Sequence, residues 1–113
     1  MAVEITVQNT DEFQEMVDNK DFRLSEAIVS GILNNINGKK KHIHVLSITC
    51  LEEEEIYDIT VERKYFAETL EENLPHYVRE ERYEDCQKIV NIISELKNQD
   101  ISNILDEITK SKK

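Results

Sequence analysis

Val3, Ile5 and Val7 alternate with Ala2, Glu4 and Thr6, a period of two that predicts a strand with one buried face over residues 2–7. The period then changes. Asn9 followed by Glu12 has the spacing of a helix-capping pair, and Phe13, Met16 and Val17 fall at i, i+3 and i+4, so a short helix is predicted over 10–18. Ile28, Val29, Ile32, Leu33 and Ile36 form one apolar stripe, which predicts a second helix over 25–36 with Ser25 as its N-cap. Gly31 inside it weakens the helix by roughly 1 kcal/mol relative to Ala, unless a neighbouring backbone needs the space. Asn37-Gly38 predicts the stop, since both residues tolerate the left-handed conformation that closes helices, and Lys39, Lys40 and Lys41 follow where positive charge is favourable.

His42–Leu51 and Ile56–Arg63 both read as strands; in the second, Tyr57, Ile59 and Val61 alternate with Asp58, Thr60 and Glu62. Between them stand Glu52, Glu53, Glu54 and Glu55. Four like charges cannot be buried together, so they are predicted to form the exposed tip of a hairpin, where their repulsion also blunts edge-to-edge aggregation. From Lys64 the pattern is helical: Phe66, Leu70, Leu74, Tyr77 and Val78 line one side, and Glu68, Glu71, Glu72 and Arg79 the other. Pro75 removes one hydrogen bond and predicts a kink or break near Asn73. Tyr83, Cys86, Ile89, Val90, Ile93 and Leu96 resume the period, so an antiparallel helical hairpin is expected with its turn near 79–83. Ile101, Ile104, Leu105 and Ile108 predict a last short helix over 100–108, and the lysine-rich end is expected to fray.

The predicted fold class is α+β in a single domain. A mixed part, 2–63, holds a small antiparallel sheet built on the hairpin 42–63 and joined by the N-terminal strand; a helical part, 64–108, covers one face; 109–113 is a tail. Tyr57, Ile59 and Val61 are expected in the core with Ile28, Ile32, Leu33, Phe66, Leu70, Ile89, Ile93 and Leu96. The 113 residues suit one compact domain with a radius of gyration near ~13 Å.

The 24 acidic residues outnumber the 14 basic ones, for a net charge of -10, which argues against a passive duplex-DNA binder that must release counterions from a polyanion. The excess is local: residues 51–85 carry 13 acids and 4 bases, whereas 86–113 carry 4 and 5. No apolar run approaches the ~18 residues of a membrane span, and the N-terminal residues lack a basic region followed by an apolar stretch, so a cytoplasmic protein is expected. Two isolated cysteines, Cys50 and Cys86, are expected to stay reduced there.

The chain contains no phosphate-loop, dinucleotide or zinc signature. His42, His44 and Cys50 share strand parity, but Cys50 lies roughly 20–27 Å along an extended strand from the histidines, so no metal site is expected and no cofactor is implied. Cys86 and His76 fall in the helical hairpin, but a thiol on an apolar stripe is usually inert. Asp58, Glu62 and Lys64 have the residue types with which Mg²⁺-dependent nucleases bind a cation and position water, which gives an enzymatic alternative.

Leu70 through Leu96 resembles the UVR motif, the helical hairpin of bacterial excision-repair subunits and of small Clp-protease adaptors. The resemblance rests on Leu70 and Leu74, the acidic approach Glu80-Glu81, the aromatic-acid pair Tyr83-Glu84, Cys86 where a small residue is usual, and Ile89, Ile93 and Leu96. Val90-Asn91 replaces the Arg-Asp pair usual on the second helix, and that pair contributes to partner contacts in the family. Composition and the Tyr-Glu-x-Cys-x-x-Ile segment also resemble small accessory proteins of large tailed bacteriophages. The function expected is a non-catalytic adaptor or inhibitor that binds another protein, one with a basic surface. Glu52, Glu53, Glu54, Glu55, Glu71, Glu72, Glu80, Glu81, Glu84 and Asp85 would supply charge complementarity, and an exposed part of Tyr77 or Tyr83 the aromatic anchor. The alternatives are an acidic nucleic-acid mimic, the small nuclease, and a plain homo-oligomer.

Overall fold

The computed structural model describes residues 2–111, with side chains through residue 98. The elements run β1 (Val3–Val7), α1 (Thr10–Asp18), α2 (Phe22–Asn34), β2 (His42–Cys50), β3 (Glu55–Glu62), a 3-10 turn (Arg63–Tyr65), α3 (Phe66–Arg79) and α4 (Tyr83–Ser111). The fold is α+β, with the predicted helical hairpin formed by α3 and α4.

The sheet has the order β1-β2-β3. It is mixed rather than antiparallel: β2 pairs antiparallel with β3, but β1 pairs parallel with β2. Two helices separate β1 from β2, and such a crossover returns the chain to the end of the sheet where β1 began.

β2 carries most of the core, through Ile43, Val45, Leu46, Ile48 and Cys50. Its register on β3 shifts between His44 and Leu46, so that Val45 has no opposite residue. A bulge of this kind changes which side chains face the helices. Before it, Ile43 and Val45 point inward; after it, Leu46, Ile48 and Cys50 do, and Cys50 therefore lies on the opposite face from the exposed His42 and His44. The shared parity inferred from spacing alone does not survive the bulge. Gly31 of α2 sits over this point. A methyl group at Gly31 would lie 2.4 Å from Val45 Cγ1 and 2.9 Å from its Cβ, so a side chain there forces α2 off the sheet.

α2 begins earlier than Ser25 because Asp21 caps it, its Oδ1 accepting from the Arg23 N–H at 2.9 Å. Ser25 is instead buried. The helix ends at Asn34 without a left-handed Asn37 or Gly38; the Arg63 guanidinium donates to the carbonyls of Asn35 (3.0 Å), Ile36 (3.4 Å) and Lys40 (2.7 Å) and covers the Phe66 ring. Left-handed backbone falls on Lys20, Glu54 and Glu81, which close α1, the β2–β3 turn and α3.

α3 runs through Pro75 without a break. Pro75 and Glu71 lie on the exposed face, so the carbonyl that the proline leaves unpaired is on the solvent side rather than in the core. Tyr57 is 38% exposed at the sheet margin, stacked on Phe13, and is not a core residue, whereas Ile32, Phe66, Leu70 and Ile89 are fully buried. α4 is one helix of 29 residues rather than two. It is about twice as long as the 14-residue α3 it packs against, which raises the radius of gyration to 16.8 Å and the longest dimension to 61 Å. Lys112 and Lys113 of the expected tail, and the side chains of Ile101, Ile104, Leu105 and Ile108, lie outside what the structure describes.

Replacing Gly31 by Ala is expected to destabilise the protein by about 1–3 kcal/mol in urea unfolding, although Ala is the better helix former. In a Val45→Ala background, which removes the 2.4 Å contact but keeps Cβ at 2.9 Å, the loss should be smaller; an equal loss in both backgrounds would contradict the contact.

Candidate functional site

Glutamates 52 to 54 occupy the turn between β2 and β3, as expected, and Glu55 is the first residue of β3. Three of the four have internal partners. Glu53 accepts from the Thr10 N–H at 3.2 Å and so places its charge at the N-terminus of α1, where anions are stabilised. Glu52 accepts from Asn9 Nδ2 at 3.3 Å, and Glu55 from the Tyr57 hydroxyl at 2.5 Å. The tip thus clamps α1, and among these four only the Glu54 carboxylate makes no hydrogen bond or ion pair within the described residues; its backbone N–H donates to the Leu51 carbonyl at 3.3 Å.

The turn of the helical hairpin gathers Glu80, Glu81, Glu84 and Asp85, but two arginines interrupt the acidic row. Arg82 reaches Asp85 at 2.7 Å and Glu26 of α2 at 3.2 Å; Arg79 lies 3.4 Å from Glu80 and donates to the Lys20 carbonyl at 2.8 Å. The anchor expected of Tyr77 is not available, since the residue is 3% exposed and packs edge-on against Phe22. Burial, with Glu26 and Asp85 nearby, pushes its phenol up to about 12. Tyr83 is 63% exposed and remains free to serve as an anchor. Glu71 is bound to Lys97 across the hairpin. Beneath the turn, Ser25 Oγ and His76 Nδ1 share a hydrogen bond at 2.5 Å. Burial and the charges of Arg79 and Lys20 lower the His76 pKa, so the folded chain favours a neutral imidazole.

The acids on β3 and α3 converge differently. Glu62, Glu68 and Glu72 line one open groove between the end of β3 and α3, with Thr60, Val61 and Tyr65. Lys64 pairs with Glu62 at 3.4 Å, and His42 Nε2 is 3.5 Å from the same carboxylate. Glu68 and Glu72 are exposed and form no ion pair among the described residues. Asp58 and Glu62 share a sheet face but stand four residues apart, about 13 Å along the strand, too far to bind one cation jointly. Among the described residues, no cluster of three or more His, Cys, Asp or Glu side chains could hold a metal ion.

The open sheet face also holds a network that spacing alone does not reveal. His44 Nε2 lies 2.8 Å from Ser47 Oγ, 3.1 Å from the Leu46 carbonyl and 3.4 Å from Asp58 Oδ1, and the Ser47 hydroxyl donates to Asp58 at 2.8 Å. A carbonyl and a carboxylate can only accept, so Nε2 carries the proton. A nucleophilic serine needs the reverse arrangement, a basic nitrogen facing its hydroxyl, and Ser47 has none here. The signal for this network was present in the sequence, as the apolar parity slips from Ile43 and Val45 to Leu46, Ile48 and Cys50.

No family model matches the chain, and neither a curated protein nor a solved structure matches it. Among the described residues, no helix is long and apolar enough to cross a membrane.

The lowered His76 pKa has a consequence for stability. The unfolded chain takes up the imidazole proton at about 6.5 while the folded chain resists it, so stability is full above that pH and declines as the pH falls toward the folded pKa. The melting temperature of the wild type is expected to drop more steeply through this window than that of His76→Asn; parallel slopes would contradict the assignment.

Proposed function

We propose that this protein is a non-catalytic binding module, an adaptor or inhibitor, that engages the basic surface of a partner protein through its acidic face. The observation that carries this reading is the groove in which Glu62, Glu68 and Glu72 line one surface, with Glu68 and Glu72 unpaired among the described residues. Carboxylates that neither cap a helix nor bridge to a lysine or arginine contribute little to folding, and their mutual repulsion opposes it. A cationic partner relieves that repulsion, and the concentrated negative field accelerates its approach. Exposed Tyr65 in the groove and exposed Tyr83 at the helical turn offer aromatic surface of the kind that anchors interfaces. The resemblance of the α3–α4 hairpin to the UVR motif points the same way, with Val90-Asn91 marking a difference in partner contacts.

The acids divide into two groups with different expected behaviour. Glu52, Glu53 and Glu55 are engaged internally, so neutralising them weakens α1 as well as any interface. Glu54, Glu68 and Glu72 lack such bonds, so a Glu→Gln triple variant stays folded and loses only the charge of Glu68 in the first turn of α3, worth about 0.3–1 kcal/mol. Tagged full-length chain, wild type and this variant, would be used to recover bound proteins from its native cell at low and high salt. The variant is expected to retain its partner about tenfold less well at low salt, with a flatter salt dependence. Equal recovery and equal salt dependence would contradict the reading.

A further inference from the structure

β3 is an edge strand of eight residues, and its outer side has no backbone partner among the described residues. The direction of its free groups follows from one bond. The Arg63 N–H donates to the Lys41 carbonyl at 2.7 Å, so Arg63 begins the bonded series on β2, and alternation in an antiparallel ladder turns the N–H and C=O of Glu62, Thr60, Asp58 and Ile56 outward. Natural edge strands are commonly protected by lysine, proline or a bulge. β3 has none of these, since the bulge of this sheet is on β2; its charges are the carboxylates Glu55, Asp58 and Glu62, which repel an acidic strand but not a cationic one.

The free edge adjoins the acidic groove. An added strand would have Asp58 and Glu62 beside it on the open sheet face, and Glu68 and Glu72 of α3 beside it on the helical face. Exposed Ile56 (65%) and Tyr65 (47%) give it apolar footing. We infer that a cationic segment of the partner binds in extended conformation as a fourth strand, pairing with the outer edge of β3 in the groove beside α3. Main-chain bonds to Ile56, Asp58, Thr60 and Glu62 hold it, and the flanking carboxylates select lysine and arginine. A second copy of the chain fits poorly. Self-pairing of β3 through its outward groups gathers the Asp58 and Glu62 carboxylates of both copies on one face of the joined sheet, between two molecules of net charge -10. This inference rests on the acidic-surface reading and specifies how that surface is used.

Thr60→Pro removes an outward N–H while leaving the ladder to β2 intact, so it separates strand addition from charge attraction. Isotope-labelled full-length chain would be titrated with a short acetylated and amidated peptide alternating lysine and valine. Binding is expected to slow amide exchange at Ile56, Asp58, Thr60 and Glu62, and Thr60→Pro to weaken it about tenfold, as loss of a main-chain hydrogen bond implies, while Thr60→Ser leaves it unchanged. Should Thr60→Pro fail to fold, peptides N-methylated on alternate amides replace it: one methylation register should abolish binding and the other preserve it. Binding that ignores both methylation registers but falls with Glu68→Gln and Glu72→Gln overturns strand addition and leaves the acidic-surface reading standing. Absence of binding at low salt overturns strand addition alone, because the broader reading is judged on the native partner. Light scattering that shows a dimer in the free protein, dissociated by Thr60→Pro, assigns the edge to a second copy and also overturns the inference.

Discussion

Val45 has no opposite residue on β3, and the chain absorbs the extra residue by turning both Val45 and Leu46 toward the helices. The inward swell this creates leaves no room for a side chain on the helix above it, and Gly31 occupies that position. The placement of α2, the layer to which α3 and α4 are added, depends on this close approach. The same extra residue fixes the chemistry of the open face. It keeps His42 and His44 on the solvent side, brings Ser47 into register with Asp58, and sends Cys50 into the core.

Charged residues then serve as joints. Arg63 ties the end of α2 to the loop before β2 with three hydrogen bonds from one guanidinium that also lies over Phe66 at the start of α3, a role that glycine or asparagine plays at many helix ends. Arg82 joins α2 to the helical hairpin, and Glu53 joins the β2–β3 turn to α1. A chain with 24 acidic residues therefore uses some of them for architecture. The carboxylates without an internal partner among the described residues include Glu54 at the turn and Glu68 and Glu72 along the groove beside β3.

Much of this was legible in the residue pattern. The strand alternation, the Asn9–Glu12 cap, the acidic turn and the helical hairpin all follow from local spacing, because each depends on neighbours within one or two turns of chain. Gly31 was legible only as a conditional statement, since its partner is on another element. The parallel pairing of β1, the roles of Arg63 and Ser25, and the burial of Tyr77 were not legible. Each is decided by residues on another element, distant along the chain. For the candidate site, residue type was informative but position was not: spacing treated residues 51–85 as one surface, whereas folding divides them among a clamp on α1, an arginine-laced turn and an open groove. The polar stretch between Leu96 and Ile101 reads as a helix end by its lack of apolar residues, yet it holds neither Gly nor Pro, and α4 continues through it.

Among the described residues, β3 is bonded on one side only, with an open acidic groove on the other. Site-resolved amide hydrogen exchange of the free protein tests this most directly. Tyr57, Ile59 and Val61 should exchange slowly, while Ile56, Asp58, Thr60 and Glu62 exchange fast. Uniform protection along β3 would mean that its outer edge is already paired, and would contradict the central claim.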